Sequence, residues 1–202
     1  FTMATRGQNI WYDLMTTDAE SARNFYSEAV GWKTSAWEEA DPGNPYTMWM
    51  SGDHAVGGVA TLPEEAKKTG APPHWLAYTA VDDVDGTVKR ATELGGKVMR
   101  EPWDIPKVGR IAVLADPQGA VFAVYKPSGD MPAPDTSAIG EFGWAELSTT
   151  DYEGAWKFYS DLFGWKHHDT MEMGEAGAYF MFHDGEDVTL AEVDELGDLA
   201  GL

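Results

Sequence analysis

One stretch of this sequence occurs twice, and that repeat constrains the fold more than any other feature. Residues 11–33 recur without a gap as residues 144–166, 133 positions further on, and 13 of the 23 positions are identical. The register continues past this stretch, because Tyr46 recurs as Tyr179. A long, gapless repeat indicates that the chain is assembled from copies of one structural unit.

Each copy predicts a strand followed by a capped helix. Side chains alternate in character over residues 11–15, as in a half-buried strand. Thr17 and Glu20 have the spacing of a capping box, and the second copy has the same pair. Gly31 then stands where a helix ends in a left-handed residue. The predicted apolar helix face consists of Ala22, Phe25, Tyr26 and Ala29, and in the second copy of Ala155, Phe158, Tyr159 and Leu162.

A second unit, with the same order of elements but little sequence identity, lies between the two copies. We expect a first domain at residues 8–127, built from modules at 8–62 and 74–127. The proline-rich residues 128–138 are predicted to be a linker. Residues 139–202 then form the first module of a second domain, which we expect to be incomplete. Three units are present where the pattern calls for four.

Composition excludes several classes of partner. The net charge of −20 repels phosphate backbones, and the densest basic run, Lys67-Lys68, is flanked by Glu64-Glu65, so no nucleic-acid partner is expected. No cysteine occurs, which excludes disulfide and thiolate chemistry. No apolar run is long enough to span a bilayer, so we expect no membrane partner. Together these features favour a cytoplasmic protein.

The order of the motifs resembles that of a known family. The residues that carry the resemblance are Asp18, Phe25-Tyr26, Gly31-Trp32 and their repeat, Val81-Asp82-Asp83-Val84, Gly95-Gly96 and Asp116-Pro117-Gln118-Gly119. In this order they resemble the vicinal oxygen chelate superfamily of glyoxalase, bleomycin-resistance and extradiol dioxygenase proteins, and in particular its tandem-domain glyoxalase-like members. The resemblance implies an α+β fold of repeated βαβββ modules, in which curved mixed sheets enclose a concave pocket and the helices lie outside.

The metal site of that superfamily does not transfer to this sequence. Its metalloenzymes place His, Gln or Glu on the first strand of each unit and Glu on the last strand. The corresponding positions here are occupied by Trp11, Trp144, Leu76, Val59 and Ala123. None of these side chains can coordinate a cation. His74 lies two residues before Leu76 on the same strand face, but one histidine does not make a site. The resemblance thus implies the fold, and we expect neither a metal nor another cofactor.

The concave face of the first strand carries the candidate site. If Leu14 packs under the helix, then Trp11, Asp13 and Met15 point to the concave side. In the repeat, the side chains that do so are Trp144, Glu146 and Ser148. Asp13 and Glu146, each beside a tryptophan, are candidate general acids or bases with a raised pKa. An equally weighted alternative is that each carboxylate bonds a neighbouring strand or an arginine.

Side chains of the second unit complete the predicted ligand site. They are His74, Tyr78, Arg110 and Tyr125. A face lined by tryptophan, methionine and tyrosine with few polar groups suits a flat, apolar small molecule. The same aromatic residues would serve equally well as core.

Three functions follow from this pattern. We expect a protein that binds a small organic ligand without a catalytic metal and either sequesters it or handles it with Asp13 or Glu146. The alternatives are a metal-dependent lyase or dioxygenase of the same superfamily and a non-catalytic interaction protein. A lone third unit would leave a strand edge unpaired, so either the chain is truncated or a homodimer completes that unit.

Overall fold

The computed structural model describes residues 3–40, 46–68, 70–136, 138–174 and 177–184. The first unit contains β1 (Asn9–Thr16), α1 (Ala19–Ala29), β2 (Lys33–Ala36), β3 (Thr47–Ser51) and β4 (His54–Thr61). A short helix, α2 (Glu64–Lys68), leads to the second unit, with β5 (His74–Ala80), α3 (Val84–Glu93), β6 (Lys97–Ile105), β7 (Gly109–Ala115) and β8 (Val121–Pro127). The third unit contributes α4 (Tyr152–Phe163), β9 (Lys166–Glu172) and β10 (Ala178–His183).

One curved, mixed sheet of eight strands joins the first two units in the order β2-β3-β4-β1-β5-β8-β7-β6. β1 runs parallel to β4 and antiparallel to β5, and β5 runs parallel to β8. Each unit therefore repeats one local arrangement, and the two opening strands meet at the centre of the sheet. The α+β class with the helices outside a curved sheet is confirmed.

The sheet curls far enough for loops beside its two edge strands to meet. Glu39 follows the edge strand β2, and Lys107 lies in the turn after the opposite edge strand β6. The Lys107 Nζ atom is 2.5 Å from the Glu39 Oε1 atom. This contact joins loops beside the two ends of the strand order.

Aspartates cap the three longer helices. The Asp18, Asp83 and Asp151 side chains accept hydrogen bonds from backbone N–H groups of the first turn of α1, α3 and α4. The capping-box prediction with Thr17 as the cap is therefore wrong by one residue. The carboxylate of Asp18 accepts from Ser21 N at 2.9 Å, and the Asp18 N–H itself donates to Thr16 Oγ1. None of the described helices has the length and apolar character needed to cross a membrane.

The third unit packs against the second unit through α4. Phe122 of β8 contacts the rings of Phe158, Tyr159 and Phe163. The Tyr159 hydroxyl donates to Asp116 Oδ2 at 3.1 Å, in the turn before β8. These contacts form one buried cluster with the inner face of α3.

The strand predicted to open the third unit is not present among the described residues. Residues 144–148 are exposed and pair with no described strand. In the first unit, the equivalent β1 is held between β4 and β5. The repeat offset of 133 maps β4 onto residues 187–194, and the sequence predicts a strand at residues 188–193 there. These residues lie outside the described ones. Within the described part of the chain, residues 144–148 thus lack the neighbours that hold β1.

Two tryptophans link the repeated units reciprocally. The Trp32 indole N–H donates to the Gly140 carbonyl at 2.6 Å, and the Trp165 indole N–H donates to the Gly7 carbonyl at 2.9 Å. Trp165 is the repeat counterpart of Trp32, and Gly140 is the repeat counterpart of Gly7, because each pair is 133 positions apart. Each copy therefore binds the segment that precedes the other, as in an arrangement with approximate two-fold symmetry.

Candidate functional site

Three donors converge on one buried carboxylate at the concave face. Asp13 Oδ1 accepts from the Tyr46 hydroxyl at 2.5 Å and from the Trp11 indole N–H at 3.0 Å. Asp13 Oδ2 accepts from the Tyr78 hydroxyl at 2.7 Å. The Trp11 N–H is also 2.8 Å from the Tyr46 oxygen, so these two donors interlock. We call Trp11, Asp13, Tyr46 and Tyr78 the Asp13 cluster.

Strand register explains why these residues meet. In the antiparallel pairing of β1 and β5, Trp11 lies opposite Tyr78 and Asp13 lies opposite Leu76. The side chains of Trp11, Asp13, Leu76 and Tyr78 therefore share the concave face. Leu14 instead packs with residues of α1 on the other face. The parity inferred from the sequence for β1 is thus the parity in the structure.

Burial dominates the electrostatics of the Asp13 cluster. The Asp13 carboxyl is 5% exposed, and this burial raises its pKa, although the hydrogen bonds from Tyr46, Tyr78 and Trp11 act in the opposite direction. Burial, and then the nearby Asp13 charge, raise the pKa of Tyr46 and of Tyr78. Both phenols therefore stay protonated and act as donors to Asp13 at neutral pH.

A glycine makes room for Tyr46. Gly58 of β4 pairs with Asp13 of β1, and a Cβ atom at Gly58 would overlap the Tyr46 hydroxyl. The same Cβ would stand 2.7 Å from Asp13 Oδ1. Glycines within a strand, such as the pair Gly57-Gly58 in β4, are typical of a bulge or a close approach by another group, and at Gly58 the approaching group is the Tyr46 phenol.

Met15 and His74 extend the face from the Asp13 cluster. They lie opposite each other in the β1–β5 pairing, and both are partly exposed. His74 Nδ1 is 2.8 Å from the Pro72 carbonyl oxygen. Tyr125 lies edge-on to Tyr78, with ring centroids 6.4 Å apart, but its hydroxyl donates to the Val108 carbonyl. Tyr125 is therefore packed beneath the turn after β6.

Arg110 lies apart from these residues. Its neighbour Ile111 packs in the concave cluster, whereas Ala112 packs with the helices, so Arg110 shares the helix face. Its guanidinium binds both oxygens of Asp85 on α3 and also Asp104 Oδ2. The structure thus does not bring Arg110 to the Asp13 cluster. A place for Arg110 on the concave face would require the opposite side-chain parity in β7.

The repeat carries a second, exposed version of the cluster. Trp144 Nε1 donates to the Tyr179 hydroxyl at 2.8 Å, and that hydroxyl donates to Glu146 Oε1. These three residues correspond to Trp11, Tyr46 and Asp13. Trp144 is 60% exposed, and Ser148 is also exposed. Trp144 and Glu146 bond to Tyr179 and not to any member of the Asp13 cluster.

A metal ion does not fit the residues of the concave face. Both oxygens of Asp13 already accept bonds from neutral donors, and its strand neighbours are Leu76 and Gly58. Within the described ranges, no three His, Cys, Asp or Glu side chains converge as ligands. The donor set thus lacks the several N or O ligands that one cation requires.

Sequence reasoning missed two groups on this face. Tyr46 was noticed as a marker of the repeat and not as a site residue, although it recurs together with the tryptophan and the carboxylate that it binds. Arg100 and Trp103 of β6 gave no signal in the sequence. Trp103 packs with the concave cluster, and the Arg100 Cζ atom lies 3.6 Å from the centroid of the Trp103 ring.

Two clefts of about 300 Å³ each lie away from the Asp13 cluster, one between residues 3–6 and 126–131 and the other beside Arg110. Neither is lined by a member of the Asp13 cluster. The fold and the concave face together define an α+β protein with a curved sheet that presents partly exposed aromatic side chains above a buried carboxylate.

Comparison with known proteins identifies the family. The sequence profile of the Glyoxalase/Bleomycin resistance protein/Dioxygenase superfamily matches residues 10–124, and the chain belongs to this superfamily. The chain is 46% identical over 122 residues to "Putative glyoxylase CFP32" of Mycobacterium tuberculosis, a match that covers 60% of this chain and 45% of that protein. This chain thus spans less than half the length of that relative.

A second relative matches along nearly the whole chain. "Anthracycline biosynthesis protein DnrV" of Streptomyces peucetius is 34% identical over 202 residues, covering 95% of this chain and 72% of that protein. Among solved structures, the Mn(II)-bound glyoxalase from Novosphingobium aromaticivorans has a TM-score of 0.57 at 18% identity, covering 86% of this chain and 57% of that chain. At this identity, the similarity supports the fold alone.

Proposed function

We propose that this protein binds a flat, largely apolar organic molecule on the concave face of its sheet, over the Asp13 cluster, without a catalytic metal. The observation that carries the proposal is the convergence of Trp11, Tyr46 and Tyr78 on Asp13. Partly exposed Trp11 and Met15 supply apolar contact area, and the phenols beneath them supply a few oriented polar groups.

The names of two relatives agree with a flat ligand. DnrV and DauV, 34% and 33% identical to this chain, are both called anthracycline biosynthesis proteins. An anthracycline has a planar, fused-ring core that an indole ring can stack on. This agreement supports the class of the ligand and leaves its identity to experiment.

Asp13 gives the site a way to handle a proton. The Tyr78 oxygen can accept a hydrogen bond from a ligand hydroxyl while its own proton stays on Asp13 Oδ2. If the ligand hydroxyl gives its proton to the Tyr78 oxygen while Tyr78 gives its own proton to Asp13 Oδ2, Tyr78 stays neutral, Asp13 becomes protonated and the ligand becomes an oxyanion. The raised pKa of Asp13 favours its protonated form. Glu146 has the matching position in the repeat, but it is exposed, so we assign the proton step to Asp13.

Binding of 1,4-dihydroxyanthraquinone, a neutral planar probe, tests the proposal. We expect one molecule to bind the wild-type chain, measured by titration calorimetry, and Trp11→Ala to weaken binding by roughly tenfold through lost stacking and area. Trp144→Ala is the matched control, because it removes the same residue of the exposed copy, and we expect unchanged affinity. Absence of binding, or equal losses in both variants, would contradict the proposal.

A separate measurement addresses the metalloenzyme alternative. Protein purified without chelator is analysed for bound metal and assayed for formation of lactoylglutathione. We expect less than stoichiometric metal and no turnover, because the face offers one carboxylate whose oxygens already accept three bonds. Stoichiometric metal together with turnover would overturn the metal-free assignment.

We also propose that two chains associate through the third unit. Trp144 is 60% exposed and Leu147 38% exposed, in a segment whose counterpart in the first unit is a central strand. Pairing of this segment with a second copy would bury both side chains. Size-exclusion chromatography with light scattering should give twice the mass of one chain, and a monomer at micromolar concentration would contradict the proposal.

A further inference from the structure

Arg100 places a positive charge on the concave face. Arg100 lies opposite Val113 in the β6–β7 pairing, and Val113 packs with the concave cluster, so the two share that face. The Arg100 side chain is exposed. Its guanidinium stacks on Trp103, and the ring of Trp103 packs with the concave cluster.

The guanidinium of Arg100 lies over the ring of Trp103, with its Cζ atom 3.6 Å from the ring centroid. The N–H donors of a guanidinium lie in its own plane, at the edge of the group. No hydrogen bond or ion pair joins these donors to another residue in the described part of the chain. A planar, bidentate set of donors is the preferred protein partner of a carboxylate.

Arg100 lacks a carboxylate partner among the described residues, although the protein is rich in carboxylates. The chain has 34 acidic and 14 basic side chains, so carboxylates are abundant. Arg110, on the next strand, binds Asp85 and Asp104. Arg100 differs from Arg110 in that it faces the concave side and has no such carboxylate partner among the described residues.

Arg100 lies within electrostatic reach of the Asp13 cluster. Burial and then the Asp13 charge raise the pKa of Tyr78, and the charge of Arg100 acts in the opposite direction. The charges of Asp13 and Arg100 thus act on the same phenol in opposite directions, which places Arg100 near enough to the Asp13 cluster to interact with a ligand bound there.

We propose that Arg100, supported by Trp103, selects ligands that carry a carboxylate or another anionic oxygen group at one edge of a planar ring. This inference rests on the binding function proposed above and deepens it. The ring would lie against the aromatic side chains of the concave face, and the anionic edge would meet the in-plane donors of Arg100. Arg100 is then the residue that determines the charge specificity of the site.

The test compares two probes of nearly the same shape, the anionic anthraquinone-2-carboxylate and the neutral anthraquinone-2-carboxamide. We expect the wild-type chain to bind the carboxylate roughly fivefold more tightly, as for an ion pair at a partly exposed site. Arg100→Gln should remove this preference, and Arg100→Lys should keep part of it, because the charge remains while the planar fork is lost. Raising the salt concentration should reduce the preference in wild type.

Arg90→Gln is the matched control, because it makes the same change in net charge on the outer helix α3. We expect it to leave the preference intact, and thermal melting verifies that each variant is folded. Equal binding of the two probes by wild type, or a preference that survives Arg100→Gln, overturns the role of Arg100 and leaves the proposed function standing. Failure of both probes to bind wild type overturns both proposals.

Discussion

Phe25 and Phe158 occupy the same position in the two copies of the repeat, yet Phe25 is 62% exposed and Phe158 is 2% exposed. The difference comes from the neighbouring units and not from the helices. α4 lies on Phe122 and α3 of the second unit, whereas α1 has no buried residue in the described structure. The same local sequence thus has two energetic roles in one chain.

This pair gives a direct test of the packing. Phe158→Ala should reduce the free energy of unfolding by about 3–5 kcal/mol, because it leaves a cavity beside Phe122. Phe25→Ala removes the same atoms from an exposed site and should change the free energy of unfolding by less than about 0.5 kcal/mol. Urea unfolding measures both values. Equal losses would show that α4 does not pack on the second unit as described.

The two tyrosines of the repeat form a second matched pair. Tyr46→Phe removes a donor from the buried Asp13 carboxylate and should cost about 1–3 kcal/mol of unfolding free energy. Tyr179→Phe removes the equivalent donor from the exposed Glu146 and should cost less than about 0.5 kcal/mol. Urea unfolding of both variants checks this difference. A larger loss for Tyr179→Phe would contradict the placement of the buried cluster in the first unit.

The sequence allowed the fold to be predicted because its signals are local and repeated. Helix caps, the glycine stops and the alternation in residues 11–15 each depend on neighbouring residues, and the copy at residues 144–166 doubled the signal. The superfamily resemblance and the α+β class are both confirmed. The same local alternation predicted an opening strand in the third unit that the described structure lacks. A strand needs paired neighbours, and local alternation does not show whether they are present.

The site was predictable only in part, for a related reason. Trp11 and Asp13 were found because they lie two residues apart on one strand. Tyr46 reaches the same carboxylate from 33 positions away, and the space that it needs is set by Gly58. The bulges of β6, between Val98 and Arg100 and again before Trp103, shift the side chains of that strand between faces, which a simple period of two cannot follow.

Gly58 should not accept a side chain without displacement of Tyr46. In Gly58→Ala, the new methyl group would occupy the position of the Tyr46 hydroxyl, so we expect a loss of about 1–3 kcal/mol of unfolding free energy. We also expect weaker binding of 1,4-dihydroxyanthraquinone. Gly129→Ala is the control, because its Cβ would meet nothing within 4 Å. Urea unfolding and titration calorimetry measure the two effects, and a neutral Gly58→Ala would contradict the Tyr46–Asp13 geometry.

The raised pKa of Asp13 predicts a pH dependence of stability with a definite sign. A carboxyl with a higher pKa in the folded than in the unfolded protein binds its proton more tightly when folded. Its contribution therefore favours folding below the ordinary value of 3.8 and is lost as pH rises through the raised value. Asp13→Asn cannot titrate, and its amide can still accept from Tyr46 and Trp11 while donating to the Tyr78 oxygen.

We expect the unfolding free energy of wild type to fall relative to Asp13→Asn as pH is raised from about 3.8 towards neutrality, with urea unfolding at each pH as the measurement. Asp161→Asn supplies a control of opposite sign. The hydrogen bond from Lys157 lowers the pKa of the Asp161 carboxyl, so its contribution is present above 3.8 and is lost as pH falls through the lowered value. If wild type and Asp13→Asn kept a constant difference across this range, Asp13 would have the same pKa in the folded and unfolded protein, and burial would not govern its ionisation.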